Sequence, residues 1–309
     1  MNRLYSFVLP AYKARFLKEA IDSILAQTYT NFELIIVNDA SPEDLDSIVN
    51  GYEDQRIQYY VNEKNIGGKN LVEQWNYSIS YAKGEYLILA SDDDVYDCEY
   101  LTRMNRLVDK YPDVNVFRPQ VQMIDGNGNI IRIRGVLKEY TSAVEFAYWL
   151  PVIGSGVPFY IFKRSALLSI GGFIEYPLAW HSDDATAIML ATNGLVFCDE
   201  ILFSFRFSGD SISSKKNTSE NLKKKIEATI SHYAKLKEML DMCEKRSHAD
   251  QCYYNSLVPR IPDLRRQMVC SDLSDSTKMA VVECFPFLLG KRILSLSPLI
   301  KICLKLICL

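Results

Sequence analysis

Two acidic clusters in this 309-residue chain have the residue types and spacing for chemistry. The first, LASDDDVYD at 89–97, sets Asp92, Asp93 and Asp94 directly after an apolar run. Three carboxylates so close repel one another, and the end of a buried strand gives no packing reason for them. A divalent cation does give one. Hard oxygen ligands select Mg²⁺ or Mn²⁺ over zinc or copper, and such an ion keeps open positions for phosphate oxygens. The competing reading is a solvated acidic loop in which Asp97 caps a helix starting near Glu99. An aspartyl-phosphate phosphatase is disfavoured, because its motif wants Thr or Val where Tyr96 stands. The second cluster, HSDDATAIML at 181–190, puts Asp183 and Asp184 in the first turn of a predicted helix with Ser182 as its N-cap. Acids there face the positive end of the helix, which by itself explains a pair of them.

The surrounding pattern must hold these residues. LYSFVLP and FELIIVND are short apolar runs closed by a proline or an acid, and both predict strands. Between them Phe16, Leu17, Ala20, Ile21, Ile24 and Leu25 form one helical stripe. IQYYV (57–61) and GEYLILA are further strands, separated by a helix showing Leu71, Trp75, Ile79 and Ala82 on one side. Continuous apolar strands alternating with amphipathic helices predict a mostly parallel sheet covered on both faces. Ligands of such sheets sit beyond the carboxyl ends of the strands, where Asp39 and the aspartate triplet fall.

After residue 112 the rhythm changes to a hairpin, VNVFRPQVQMID and IIRIR around GNGN, then a helix near 141–149 and a strand in GVPFYIF. From about 215 a helical, lysine-rich region follows, with Leu222, Ile226, Ile230, Tyr233, Leu236 and Leu240 as its apolar stripe and LKKK as its wet face. The expected organisation is therefore 1–215, divided near 110, and a helical extension over 216–309. The formal net charge of −3 gives no global attraction to nucleic acid. Eight cysteines without a CxxC pair read as reduced thiols and favour the cytoplasm. The last residues, PLIKICLKLICL, carry lysines four apart among apolar neighbours, the pattern of a helix lying in a membrane interface. A terminal helix docked on the domain would look the same. A membrane surface reached through 285–309, on the cytoplasmic face of the inner membrane, is thus one expected partner.

In the first strand–helix turn, Pro10, Ala11 and Tyr12 stand where a dinucleotide site needs glycines. The second strand nevertheless ends in Asp39, suited to hydrogen-bond a base or ribose. The stretches VLPAYKARFLKEAIDSILAQTYTNFELIIVNDAS, NEKNIGGKN and AKGEYLILASDDDVYD, followed by SIGGF, HSDDATAIML and FRFSGDSIS, resemble family 2 glycosyltransferases in content and order. The similarity covers about 1–215.

The resemblance implies the GT-A fold, a Rossmann-like α/β sheet with helices on both faces. It also implies a nucleotide-diphosphate sugar donor (a UDP-sugar favoured), Mn²⁺ or Mg²⁺, and inversion at the anomeric carbon. The acceptor would be a saccharide, free or lipid-linked. By the same likeness Pro10, Ala11 and Tyr12 line the nucleotide pocket and Asp39 meets the base, while Lys69 and Asn70 lie over the ribose. In the metal motif this chain has Ser91 where relatives commonly carry an Asp. Asp93 is then the direct ligand, Asp92 a ribose contact, and Asp94 the ligand if the loop is shifted by one. SDD at 182–184 matches the position of the base, with Asp184 the first choice and Asp183 the second. His181 and Gly172, preceded by Gly171, fall on the acceptor side. Arg206 and Ser213 are expected in a loop over the diphosphate. A sugar-nucleotide pyrophosphorylase and a non-catalytic sugar-binding relative are the rivals.

Overall fold

The structure, a computed structural model, describes residues 2–209, 216–243 and 247–291. Its first half alternates β1 (Tyr5–Ala11), α1 (Leu17–Leu25), β2 (Phe32–Asn38), α2 (Asp46–Val49), β3 (Ile57–Val61), α3 (Leu71–Ile79) and β4 (Tyr86–Leu89). Then come β5 (Val95–Tyr96), α4 (Tyr100–Lys110), β6 (Val116–Ile124), β7 (Ile130–Ile133), β8 (Tyr140–Thr141) and α5 (Ala143–Ile153). After these follow β9 (Ile161–Lys163), α6 (Arg164–Ser169), α7 (Ser182–Leu190) and β10 (Leu195–Arg206). Helices α8 (Ser219–Met242), α9 (His248–Leu257), α10 (Ile261–Ser274) and α11 (Lys278–Gly290) complete the described chain.

One sheet runs through the molecule in the order β3-β2-β1-β4-β9-β6-β10-β5. The strands β3, β2, β1 and β4 are parallel, as their unbroken apolar sequences predict, and β2 is buried along its whole length. Register decides what meets at the carboxyl ends. Val8 lies opposite Leu89 and Ala11 opposite Asn38, so Asp39 and the aspartate triplet both emerge beside the Pro10–Tyr12 turn. The second half joins through antiparallel β9, and β10 returns parallel to β6 with register shifts after Cys198 and after Ile201. Those irregularities bend β10 so that its far end, paired antiparallel with β5, runs back past the triplet.

Several expectations about local structure are corrected. GVPFYIF is a 3₁₀ turn over Val157–Phe159 followed by the short β9, because Pro158 cannot donate to a ladder. In α3 the buried positions are Val72, Gln74, Ser78 and Ile79, whereas Leu71 and Trp75 are only half-buried. Ser182 is the first residue of α7 rather than its cap; His181 precedes it with φ of 68°. The Ser182 hydroxyl instead accepts from the Tyr176 N–H and is fully buried.

Helix α8 is the hinge between two packing systems. Ala228, Leu236, Met239 and Leu240 belong to the main core, while Leu222 and Ile226 join Val269, Leu273, Val281 and Leu288 in a second. Lys225 is not part of a wet face. It is 2% exposed and its Nζ lies 4.0 Å over the Trp180 ring. Leu178, Ala179 and His181, in the turn before α7, all have positive φ, a cost of about 1–3 kcal/mol each for residues with a side chain. The packing of α8 over-determines that turn. The last described strand ends at Arg206, and the packing continues into α8. Truncation after residue 215 is expected to uncover Trp180 and His181 and lower the Tm by about 5 °C or more, measurable by differential scanning fluorimetry.

Candidate active site

The first β–α turn has no glycine cradle, and its backbone is held by acids. Asp92 Oδ2 accepts the N–H groups of Tyr12 and Lys13, both at 2.8 Å. On the other flank Glu43 accepts from Ala14 N–H at 2.6 Å, and the Ser41 hydroxyl donates to the Tyr12 carbonyl. Tyr12 itself is 41% exposed. Tyr12, Lys13, Arg15, Phe16, Glu43, Asp92 and Ser208 line a cleft of about 320 Å³ that also receives Asp93.

The three aspartates thus separate. Asp92 anchors the turn, and burial raises its pKa against the two N–H groups that lower it. Asp93 faces the cleft, where burial and then the charge of Asp92 push it up to about 6. Asp94 has no exposed surface. Its Oδ1 accepts from the Arg206 N–H at 2.8 Å, its Oδ2 has no partner, and burial holds its pKa well above the usual carboxylate range. A carboxylate pair at a cleft wall, one member raised by the other, is a donor set that fits a hard divalent cation. Asp93 is the member that would hold it, and Asp94 is sealed beneath the rim.

Arg206 is not in a loop over the cleft, as expected, but is the last residue of β10 and 2% exposed. Its Nε donates to the Asp93 carbonyl at 2.8 Å, and its Nη2 pairs with Glu19 at 2.7 Å. The guanidinium lies 4.3 Å over the Phe16 ring. It therefore fixes the triplet from behind. Ser213 lies outside the described residues.

Asp39, 4% exposed, accepts from Asn62 Nδ2 and from the N–H groups of Ile66 and Gly67. It thereby shapes the loop that leads to Lys69 and Asn70. Lys69 is exposed, whereas the Asn70 side chain caps α3 and donates to Glu175. Gly171 and Gly172 both have positive φ, and a Cβ at Gly172 would collide with Asn76 of α3, whose Oδ1 accepts the Phe173 N–H.

On α7 the two acids have opposite surroundings. His181 Nδ1 lies 2.9 Å from Asp184 Oδ2, and its Nε2 lies 3.2 Å from Thr229 Oγ1 of α8. The His181 ring stacks on His232 at 4.7 Å. His181 is 6% exposed, so it serves Asp184 and α8 rather than an acceptor. Burial pushes Asp184 up, but its hydrogen bond with His181 leads the interactions that outweigh burial, a bond from Ser155 among them, and lower its pKa. Asp183 lacks that pairing. Burial and then Asp184 push it up to about 7, against a hydrogen bond from Ser155. The Ser155 hydroxyl also meets the Tyr160 hydroxyl at 2.8 Å. Arg118, 1% exposed, donates to the Gly154 and Ile153 carbonyls below and feels both acids.

Ser155, Arg118, Glu43 and Thr229 were missed in the sequence. The stretch GSG at 154–156 was the one available signal, since Arg118 sits mid-strand and Thr229 mid-helix without any motif.

The family model for glycosyl transferase family 2 matches residues 6–169, more than half of the chain. A glycosyltransferase of Rickettsia typhi, itself uncharacterized, is 29% identical over 241 residues, 75% of this chain and 72% of its own. An Escherichia coli UDP-Glc:alpha-D-GlcNAc-diphosphoundecaprenol beta-1,3-glucosyltransferase is 24% identical over 69% of this chain and 81% of its own. Other rickettsial glycosyltransferases match over only 18% to 22% of their length. Among solved structures, S. aureus TarS with UDP-GlcNAc superposes with a TM-score of 0.56 at 18% identity, covering 91% of this chain and 86% of its own. A mannosyltransferase of Pyrobaculum calidifontis in complex with GDP-Man and Mn²⁺ gives 0.57 at 15% identity, covering 91% and 74%. These structures share the GT-A fold with the chain.

Because burial raises the pKa of Asp94, Asp94→Asn is expected to change stability by less than about 1 kcal/mol in denaturant unfolding. Arg206→Ala strips the Asp93 carbonyl and Glu19 of their partner, and is expected to cost about 2–4 kcal/mol in the same measurement.

Proposed function

Since the chain belongs to glycosyl transferase family 2, we propose that this glycosyltransferase is inverting and metal-dependent, moving a sugar from a nucleotide diphosphate to a saccharide acceptor. A UDP-sugar is the favoured donor, in line with the UDP-GlcNAc bound by TarS. The acceptor is a saccharide of a surface polysaccharide or a lipid-linked glycan, as in the E. coli relative's name. The observation that carries the reading is the split between the α7 acids, one held ionised by His181 and the other raised to about 7.

Asp183 is the base of this mechanism and Asp184 its neighbour, reversing the order that the resemblance suggested. A carboxylate near pH 7 takes the proton from the acceptor hydroxyl as that oxygen bonds to the anomeric carbon. The bond from that carbon to the diphosphate breaks on the opposite face, which inverts the configuration. Asp93 would hold Mn²⁺ or Mg²⁺, which when bound offsets the negative charge of the departing diphosphate. Asp92 keeps the Tyr12 turn against the nucleotide, and Tyr12, Asp39 and Lys69 remain the donor contacts of the reading. A pyrophosphorylase is not favoured, because the turn at Pro10–Tyr12 has no glycine run.

Among the described residues no helix is long and apolar enough to cross a membrane. Helix α11 nevertheless exposes Met279, Val282 and Leu289 on the approach to the basic tail. Residues 292–309 lie outside the described residues. We infer a peripheral position on the cytoplasmic face of the inner membrane, reached through α11 and that tail.

Asp183→Asn should bind UDP like the parent but turn over about 10²-fold more slowly, and Asp184→Asn should lose less. Equal or larger loss in Asp184→Asn would return the role to Asp184. As the base must be ionised, kcat is expected to fall as pH drops below about 7 and to level off above it. Asp93→Ala should weaken Mn²⁺-dependent UDP binding in calorimetry. The full chain should sediment with anionic liposomes and a chain lacking 292–309 should not; equal sedimentation of both would refute the membrane role of the tail.

A further inference from the structure

Helix α8 buries polar side chains that the transfer chemistry above does not use. Lys225, Thr229 and His232 stand at i, i+4 and i+7, on one side of the helix, and are 2%, 0% and 3% exposed. Burying such groups is costly unless each is bonded or paired. The stripe meets His181, whose Nε2 lies 3.2 Å from Thr229 Oγ1 and whose ring stacks on His232. It also meets Asp272 of α10, itself 3% exposed, whose carbonyl is fixed by Asn217 and Ser276 donating to it. The Asp272 carboxyl is bonded by Thr229 and acted on by Lys225, while its Oδ2 is buried without a partner.

Counting hydrogens orders these bonds. The Asp184 carboxylate has none to give, so His181 Nδ1, 2.9 Å from it, donates. Thr229 has one hydroxyl hydrogen. Donated to Asp272, it leaves Thr229 Oγ1 to accept, and the donor is then His181 Nε2. His181 thus holds a hydrogen on both ring nitrogens and a positive charge. The other ring of the stack is neutral, because burial and then the charge of His181 push His232 down to about 3. Tyr233 also packs on His181, and burial raises its pKa, so it adds no charge. Burial pushes Asp272 up to about 6, against Lys225 and then His181, with Asp275 adding to the rise; at neutral pH it is an acceptor.

We propose that Asp272 is a positioning residue for the α7 acid pair: through Thr229 it makes His181 Nε2 a donor, and so keeps on His181 the charge that both acids feel. That charge lowers Asp183 as well as Asp184. A carboxylate of the helical extension thereby reaches the base through two side chains. This rests on the glycosyltransferase reading for what the acid pair does.

The test is nitrogen NMR of the full chain labelled at its three histidine rings, at neutral pH without donor or acceptor, the His181 signals being assigned by their loss in His181→Gln. In the parent both His181 nitrogens are expected to carry a hydrogen. Asp272→Ala frees the Thr229 hydroxyl to donate to Nε2, and Thr229→Val removes that hydroxyl, so both variants should lose the Nε2 hydrogen; Thr229→Ser should retain it. With the cation gone the base holds its proton to higher pH, and the acid limb of kcat should lie about half a pH unit or more higher in Asp272→Ala and Thr229→Val. A purely structural loss would lower kcat at every pH without moving the limb. Should Asp272→Ala fail to fold, Thr229→Val decides alone. A bare Nε2 in the parent, one still protonated in Thr229→Val, or an unmoved limb would overturn the proposal. The expected ring signals together with full turnover by Asp183→Asn would keep the relay and reject the assigned base, so the two readings fail separately.

Discussion

Three neighbouring carboxylates cannot share one environment, and the architecture of the site follows from how this chain separates them. Asp92 turns toward the first β–α turn, Asp93 toward the cleft, and Asp94 into the core. Each direction has its own charge balance. The N–H groups of Tyr12 and Lys13 bond Asp92, and burial raises the pKa of Asp94. Asp93, its pKa raised by burial and by Asp92, is left facing the cleft. The triplet thereby ties β4 to β1 on one side and to β10 on the other. One loop fixes the wall of the nucleotide cleft and the seam between the two halves of the sheet.

A similar economy operates at α7. The positive φ of His181 is held by its bonds to Asp184 and to Thr229, so the strained turn, the ionised acid and helix α8 form one unit. Asp183, next in sequence to Asp184, is spared a cationic partner of its own and keeps a pKa suited to proton transfer. The helical extension is consequently part of what positions the acid pair, since Thr229 and His232 both lie on α8. The same half of the molecule carries buried Arg118, whose charge interacts with that acid pair.

The strands β1 to β4, their parallel direction and the rim location of Asp39 and Asp92–Asp94 were legible in the sequence, because continuous apolar runs have few ways to be buried. The hairpin was legible for the same local reason, through its GNGN turn. Buried cations were not. Arg206 and Lys225 look like solvent-facing residues, yet they lie over Phe16 and Trp180, rings that come from distant parts of the chain. Ser182 has the composition of a cap, but the turn is set by long-range packing that moves the cap position to His181.

What the sequence determined by itself was thus the sheet, its direction and the residue types that could bind a cation or take a proton. Only the tertiary structure decided which member of each acidic cluster does what. The partners come from elements distant in sequence: Arg206 of β10 is 112 residues from Asp94, and Thr229 of α8 is 48 from His181. No local pattern encodes them, because a pKa is set by neighbours in space.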